Sequence, residues 1–443
     1  MLASIRLLIR KVLAHRQAVL FAGSNVCYQF VSMACQLVVL RLIEPSLIGI
    51  WAAVALVQQY LLWTQMGVVN AMNREYPYHL GKGRPDAALA IVRTGQAYSL
   101  VNGGFLAIVF LGLAAYYAAT GSGLWFAGSL TVAAMMPLQQ YTNYLEGTYR
   151  AGSEFRRLSF IRLGAVPLEV VSLLLPWKLG FQGFLVRMFL LAVYPAVACH
   201  VWRPVRVGPR FERGRMRELL STGWRLFLWS YLYRVAQSFP RLALATWGGV
   251  LLLTGNVAWE AQAVLLLGLF SPVSWMYLAF SSLTGSLSMY LYPNLTFRYA
   301  RDGIAVGRIA LRAGLAAMAI LLPAVVVGVL LLPYVLPPLI PLYASSVRAA
   351  QFSLVAGLLE CFSISTITFA ATKAWRPMYV YLACALVFRA AGAFGGYHMV
   401  EDRLTGVGMG MVASSLVMAG AAWLTVRNAR GAGPMVNEEM EAA

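Results

Sequence analysis

Arg203-Pro-Val-Arg-Val-Gly-Pro-Arg-Phe-Glu-Arg-Gly-Arg-Met-Arg217 is the most basic stretch of this 443-residue chain, with six arginines. Apolar runs at about 181–201 and 223–252 flank it. Whether the stretch is a nucleic-acid arm or a loop between membrane spans decides the fold. Composition answers this: the chain is 60% hydrophobic and 12% charged, whereas a soluble domain carries about 25% charged residues. Apolar segments recur along the whole length, and about 20 such residues in a helix cross a hydrocarbon core of about 30 Å. The formal charge of +19 is spread in short clusters between these segments, which is a topology signal and excludes a nucleic-acid partner.

Twelve helical spans are expected, at 18–40, 47–70, 94–118, 122–146, 159–176, 181–201, 223–252, 260–292, 310–333, 340–369, 377–398 and 404–426. The N-terminal segment, the alternate loops and the tail hold 26 of the 35 Lys and Arg residues. The remaining loops hold three (Arg41, Lys178, Arg403), and six lie in or at the edge of spans. Basic loops stay cytoplasmic, so both termini are expected on that side of a bacterial inner membrane. The basic lead Arg6, Arg10, Lys11 and Arg16 precedes an apolar run too long for a signal peptide, and is read as opening the first permanent span.

The basic stretch divides the spans into two sets of six. The expected organisation is an N-terminal six-helix bundle (1–202), a basic linker (203–222), a C-terminal six-helix bundle (223–430) and a disordered acidic tail (431–443). Span 2 passes Gly67 and leaves through Glu75-Tyr76-Pro77; span 8 passes Gly285 and leaves through Leu291-Tyr292-Pro293, each into a basic loop. The two Tyr-Pro pairs are 216 residues apart. With six spans in each set, the halves would be parallel repeats about an axis along the membrane normal.

Polar side chains within a span must face protein or a water-filled cavity. Span 1 carries Asn25, Gln29, Ser32 and Gln36, whose spacing places them on one helix face. They either hydrogen-bond between helices or line a cavity. Span 7 carries Arg234, Ser238 and Arg241 on one face, with Pro240 introducing a bend. Guanidinium groups at that depth need a carboxylate, water or a bound anion, so an anion site and a structural ion pair are both open. Of the carboxylates at or near membrane depth, Glu146, Glu169 and Glu360, Glu169 lies as far from Lys178 as Arg187 does. These two should be level across the hairpin and form a structural ion pair. Glu360 either meets an arginine of another helix or, as a desolvated carboxylate, carries a coupling proton or Na⁺.

Ser271, Ser274, Ser281, Gly285 and Ser288 form a small-residue packing seam on span 8. The aromatics Trp224, Trp229, Trp275, Tyr277 and Trp375 are read mostly as interfacial or packing residues, with a few able to stack on sugar rings. His15, His79, His200 and His398 form no cluster in sequence, and the five cysteines lie inside spans without metal-ligand spacing. No catalytic or metal-binding constellation stands out, so no enzyme activity is expected, and no cofactor beyond a coupling ion.

Arg41-Leu-Ile-Glu-Pro-Ser-Leu-Ile-Gly-Ile-Trp-Ala52, Met66-Gly67-Val-Val-Asn-Ala71 and Arg74-Glu75 resemble the region from span 1 to span 3 of O-antigen flippases and polysaccharide exporters. Leu291-Tyr-Pro-Asn-Leu295 with Tyr299 to Gly303 is similar to their exit from span 8. These families belong to the multidrug/oligosaccharidyl-lipid/polysaccharide (MOP) exporter superfamily. The resemblance implies an all-α fold of two six-helix bundles around a central cavity that opens alternately to each side. Its cargo would be a polyprenyl-pyrophosphate oligosaccharide, and membrane lipids and other glycan-assembly proteins would be its partners. Arg234 and Arg241 are candidates to receive the pyrophosphate, which suits the planar guanidinium fork, beside the polar stripe of span 1.

The same fold would serve a drug/cation antiporter, but that reading predicts acidic residues in the cavity, and aspartate is absent from the expected spans. A membrane glycosyltransferase, polymerase or O-antigen ligase generally needs a large extracytoplasmic loop, and every outward loop here is short.

Overall fold

The computed structural model describes residues 16–428 apart from 153, 247–256, 303–305 and 373. The expected acidic tail, most of the basic N-terminal lead and the end of span 7 lie outside the described residues. The described residues are almost entirely helical and contain no strand. With no water in the bilayer core, an α-helix is the form in which each span satisfies its own backbone.

The helices are α1 (Arg16–Leu42), α2 (Pro45–Leu61), α3 (Val68–Gly81), α4 (Pro85–Ala119), α5 (Gly123–Ala151), α6 (Phe155–Val171), α7 (Leu174–Val201), α8 (Arg213–Thr246), α9 (Val257–Leu269), α10 (Ser271–Asp302), α11 (Val306–Leu339), α12 (Val347–Leu359), α13 (Ile367–Ala371), α14 (Trp375–Met399) and α15 (Arg403–Asn428). Among the described residues, eight stretches are long and apolar enough to cross a membrane, and a ninth is the bent pair α9–α10. The twelve expected spans all map onto these helices. Those outside the nine, α5, α6 and α8, carry charged or amide side chains that lower their hydropathy.

Three spans are less regular than their hydropathy suggests. Span 2 stops being α-helical at a 3₁₀ turn, Leu62–Gln65, and Met66 and Gly67 follow with φ of 45° and 75°. Gly67 is required there: besides its positive φ, a Cβ would lie 2.6 Å from the Cβ of Phe227 on α8. Span 8 bends by 45° between α9 and α10, beside Pro272, which lacks a backbone donor. Span 10 is α12 and α13 joined by a 3₁₀ stretch, Glu360–Thr366, that begins at the buried glutamate. Periodicity identifies a span as helical but does not register where the helix tightens around a polar side chain.

Grouped by contact, the chain forms two compact units. The first is Met1–Tyr231 with Ala245–Ser271, and the second is Leu232–Leu244 with Pro272–Ala443. In the first unit, Phe21, Val68, Met72, Ile91, Tyr144, Leu158, Cys199 and Leu219 make one core from α1 and α3 to α8. There too α2 and α9 touch backbone to backbone, since a Cβ on Gly49 or Gly268 would strike the carbonyl of Val264 or Pro45. In the second unit α14 and α15 meet through Gly392, Gly396, Gly406 and Gly410, each against the facing glycine's backbone. Such small-residue crossings let helices pack closely where lipid supplies no hydrophobic drive between them. Apolar side chains turned outward, such as Ile320 and Leu330 on α11, suit an acyl-chain environment.

Candidate functional sites

Each unit carries a buried charge network. In the first, Glu169 of α6 and Arg187 of α7 form an ion pair, with Arg187 fully buried. From α1, Tyr28 and Ser32 each donate a hydrogen bond to Glu169 Oε1 at 3.0 Å. Residues four apart share a helix face, so α1 is latched to the pair at two points. Arg187 Nε and Nη1 have no hydrogen-bond partner among the described residues.

In the second unit Glu360 is paired with Arg389 of α14. Tyr233 of α8 donates to Glu360 Oε2 and Tyr277 of α10 to Oε1, both at 2.7 Å. Arg389 Nη1 donates to the Tyr277 hydroxyl at 2.6 Å, and its guanidinium lies 5.4 Å from the Tyr233 ring centroid. One carboxylate thus joins three helices. A cavity of about 10 Å³ adjoins the network, lined by Gln237, Pro240, Tyr277, Arg389 and Ser414 among others. On this scale that is about the least space that holds a single water.

The third membrane-depth carboxylate, Glu146, lies 3.4 Å from Arg162 across the α5–α6 hairpin. Amide pairs then link span 2 to α5: Gln58 donates to Gln139 at 2.6 Å and Gln65 to Gln140 at 3.1 Å.

Of the span 1 stripe, Ser32 is engaged by Glu169, Asn25 is buried, and Gln29 and Gln36 are half-buried. The stripe belongs to the first unit. On α8, in the second unit, Arg234 is exposed, Arg241 is half-buried, and Ser238 is buried with its hydroxyl turned to the Val235 carbonyl at 2.7 Å. The span 8 seam is partly polar in use, since Ser281 accepts from Gln237 at 3.2 Å.

Sequence reasoning left Glu360 without a named partner and treated Tyr277 as a packing aromatic. The signal was available. Glu360 lies 14 residues before Ala374 in the turn, and Arg389 lies 15 after it, the same near-equality that levels Glu169 with Arg187. The glutamine pairs were legible only as amides within spans 2 and 4, with nothing in their spacing to pair them. The contacts of Tyr28 and Tyr233 depend on helix rotation, which spacing alone does not give.

No family model matches the sequence, and no curated protein matches it. Solved structures match nearly its full length. An inward-facing multidrug resistance MATE family transporter of the MOP superfamily aligns with a TM-score of 0.71 at 14% identity, over 93% of this chain and 98% of that one. A MOP superfamily transporter from Pyrococcus furiosus, described as having a binding pocket of reverse polarity that suggests a different function, aligns with a TM-score of 0.58 at 16% identity, over 94% and 95%. The Vibrio cholerae MATE transporter VcmN, in a mutant form, aligns with a TM-score of 0.59 at 14% identity, over 94% and 96%. The chain therefore has the fold of MOP superfamily transporters.

Proposed function

We propose that this chain is an alternating-access exporter of the inner membrane, and that its cargo is an anionic amphiphile of the polyprenyl-pyrophosphate oligosaccharide class. The fold supports membrane export. One observation supports the cargo: each of the three membrane-depth carboxylates is already held by an arginine, Glu146 by Arg162, Glu169 by Arg187 and Glu360 by Arg389. A cationic drug needs a carboxylate that can turn to it, and none of the three stands open. Within or at the edge of the expected spans, six arginines stand against four glutamates, Glu146, Glu169, Glu260 and Glu360, which biases the interior towards anions, with Arg234 and Arg241 as the pyrophosphate ligands. Coupling by H⁺ or Na⁺ through Glu360 would require the ion to displace Arg389.

Replacing both arginines, Arg234→Ala with Arg241→Ala, should abolish surface glycan while the protein remains inserted and folded. Normal glycan in the double variant overturns the assignment. A second reading, drug or cation export, draws on the multidrug transporters among the structural neighbours. It predicts efflux of an organic cation that survives the arginine replacements and fails in Glu360→Gln.

A further inference from the structure

Where α3 leaves the end of span 2, Glu75 and His79 lie four residues apart, one turn of helix, with Pro77 between them. Glu218 approaches from the first turns of α8. All three belong to the first unit, and one donor atom from each lies within 4.8 Å of the other two. Glu75 and His79 are buried, at 8% and 6% exposure. His79 Nε2 is 3.0 Å from Glu218 Oε1, and the other ring nitrogen, Nδ1, is buried with no hydrogen-bond partner among the described residues. A buried imidazole nitrogen left unused beside two carboxylates is costly. Solvent does not explain the arrangement, because two of the three side chains are shielded from it.

We propose that Glu75, His79 and Glu218 bind a divalent transition-metal ion of the zinc class, which fastens α3 to α8. Imidazole with carboxylates suits such an ion, whereas Ca²⁺ and Mg²⁺ take oxygen ligands. Donors in a tetrahedral zinc site, with bonds of about 2.1 Å, lie roughly 3.4 Å apart. His79 Nε2 and Glu218 Oε1, at 3.0 Å, already lie near that separation, and one donor atom from each of the three residues falls within 4.8 Å of the others. Three protein ligands leave the fourth position to water, the pattern of open zinc sites.

The outer contacts fit as well. Arg215 Nη1 donates to Glu218 Oε2 at 2.8 Å, leaving Oε1 on the His79 side. This is the orienting role that partners of metal-bound carboxylates play. Among the described residues, the cation beside Glu75 is Arg74, at 3.9 Å and itself largely exposed.

The test is zinc binding to the purified full-length protein in detergent, titrated against a chromophoric chelator and read with no transport substrate, so it stands or falls apart from the export proposal. One Zn²⁺ per chain is expected in the wild type, with Ca²⁺ and Mg²⁺ failing to compete at equal concentration. Affinity should fall more than tenfold in His79→Ala and in Glu75→Gln, and by about 10–100-fold in Arg215→Ala, whose effect runs through Glu218. Glu75→Gln keeps the His79–Glu218 contact, so it isolates the metal if His79→Ala fails to fold. Zinc should also raise the melting temperature of the wild type and not of Glu75→Gln. Wild type that takes up no zinc overturns the site, as does equal uptake by wild type and Glu75→Gln.

Discussion

Neutralising Glu169 while keeping its shape tests how the first unit tolerates a guanidinium at membrane depth. In Glu169→Gln the amide oxygen still accepts from Tyr28 and Ser32, so the two bonds at 3.0 Å survive and only the charge is lost. Arg187 is fully buried, with two of its nitrogens already lacking an acceptor among the described residues. Its charge would then have no counter-ion. Breaking a buried pair by removing one partner costs about 3–5 kcal/mol, most of it the desolvation of the stranded charge. At roughly 2–4 °C per kcal/mol, the melting point should fall by on the order of 10 °C. Replacing both residues, Glu169→Leu with Arg187→Met, removes the stranded charge and should recover much of that loss. Thermal unfolding in detergent, followed by a thiol-reactive dye that reports exposure of the buried Cys35 and Cys199, measures all three proteins. A single variant that melts with the wild type, or a double variant that melts below the single one, refutes the reasoning.

In the second unit, Tyr277→Phe should cost more than Tyr233→Phe. Both hydroxyls donate to Glu360 at 2.7 Å and accept from Arg389, but Tyr277 accepts at 2.6 Å and Tyr233 only at 3.4 Å, and hydrogen bonds to charged groups contribute about 1.5–3 kcal/mol each; the same melting assay ranks the two. At the α14–α15 crossing, Gly406→Ala should lose about 1–3 kcal/mol, because its Cβ would run into the Gly396 backbone. Gly395→Ala, whose Cβ meets nothing within 4 Å, should be neutral or gain up to about 1 kcal/mol; equal melting points for these two variants would refute backbone contact at the crossing.

The membrane class, the helical fold and the levelling of Glu169 with Arg187 were legible because each depends on a one-dimensional quantity: hydropathy, loop charge, or distance from a turn. The breaks at Met66–Gly67 and Glu360–Thr366 were not, because a helix that tightens to 3₁₀ keeps its composition. His79 shows the limit most sharply. Its carboxylate Glu75 is four residues away, but Glu218 is 139 residues distant, and no periodicity connects a helix end in the first half to the opening of α8. Arg234 and Arg241 were placed on one face by spacing, yet one is exposed and the other half-buried. A shared face does not fix equal depth once Pro240 lies beside them in α8.

The three ion pairs have a common geometry that bears on what Glu360 is for. Each joins consecutive spans: Glu146 to Arg162, Glu169 to Arg187 and Glu360 to Arg389, so each can form within one hairpin. An arginine that enters the bilayer beside its own carboxylate avoids the penalty of an isolated charge. Neutralisation thus explains a glutamate opposite each of these arginines without any role in transport. It does not explain the two tyrosines. Arg389 alone would satisfy the charge of Glu360, but Tyr233 and Tyr277 come from α8 and α10, outside the hairpin. They make the α12–α14 hairpin report on the position of α8, the helix that carries Arg234 and Arg241. The 3₁₀ stretch begins at Glu360 itself, where the helical ladder is least regular and a shift of the carboxylate is least resisted. If cargo bound at Arg234 and Arg241 moves α8, the Tyr233 bond carries that movement to Glu360, as the Gln237 bond to Ser281 carries it to α10.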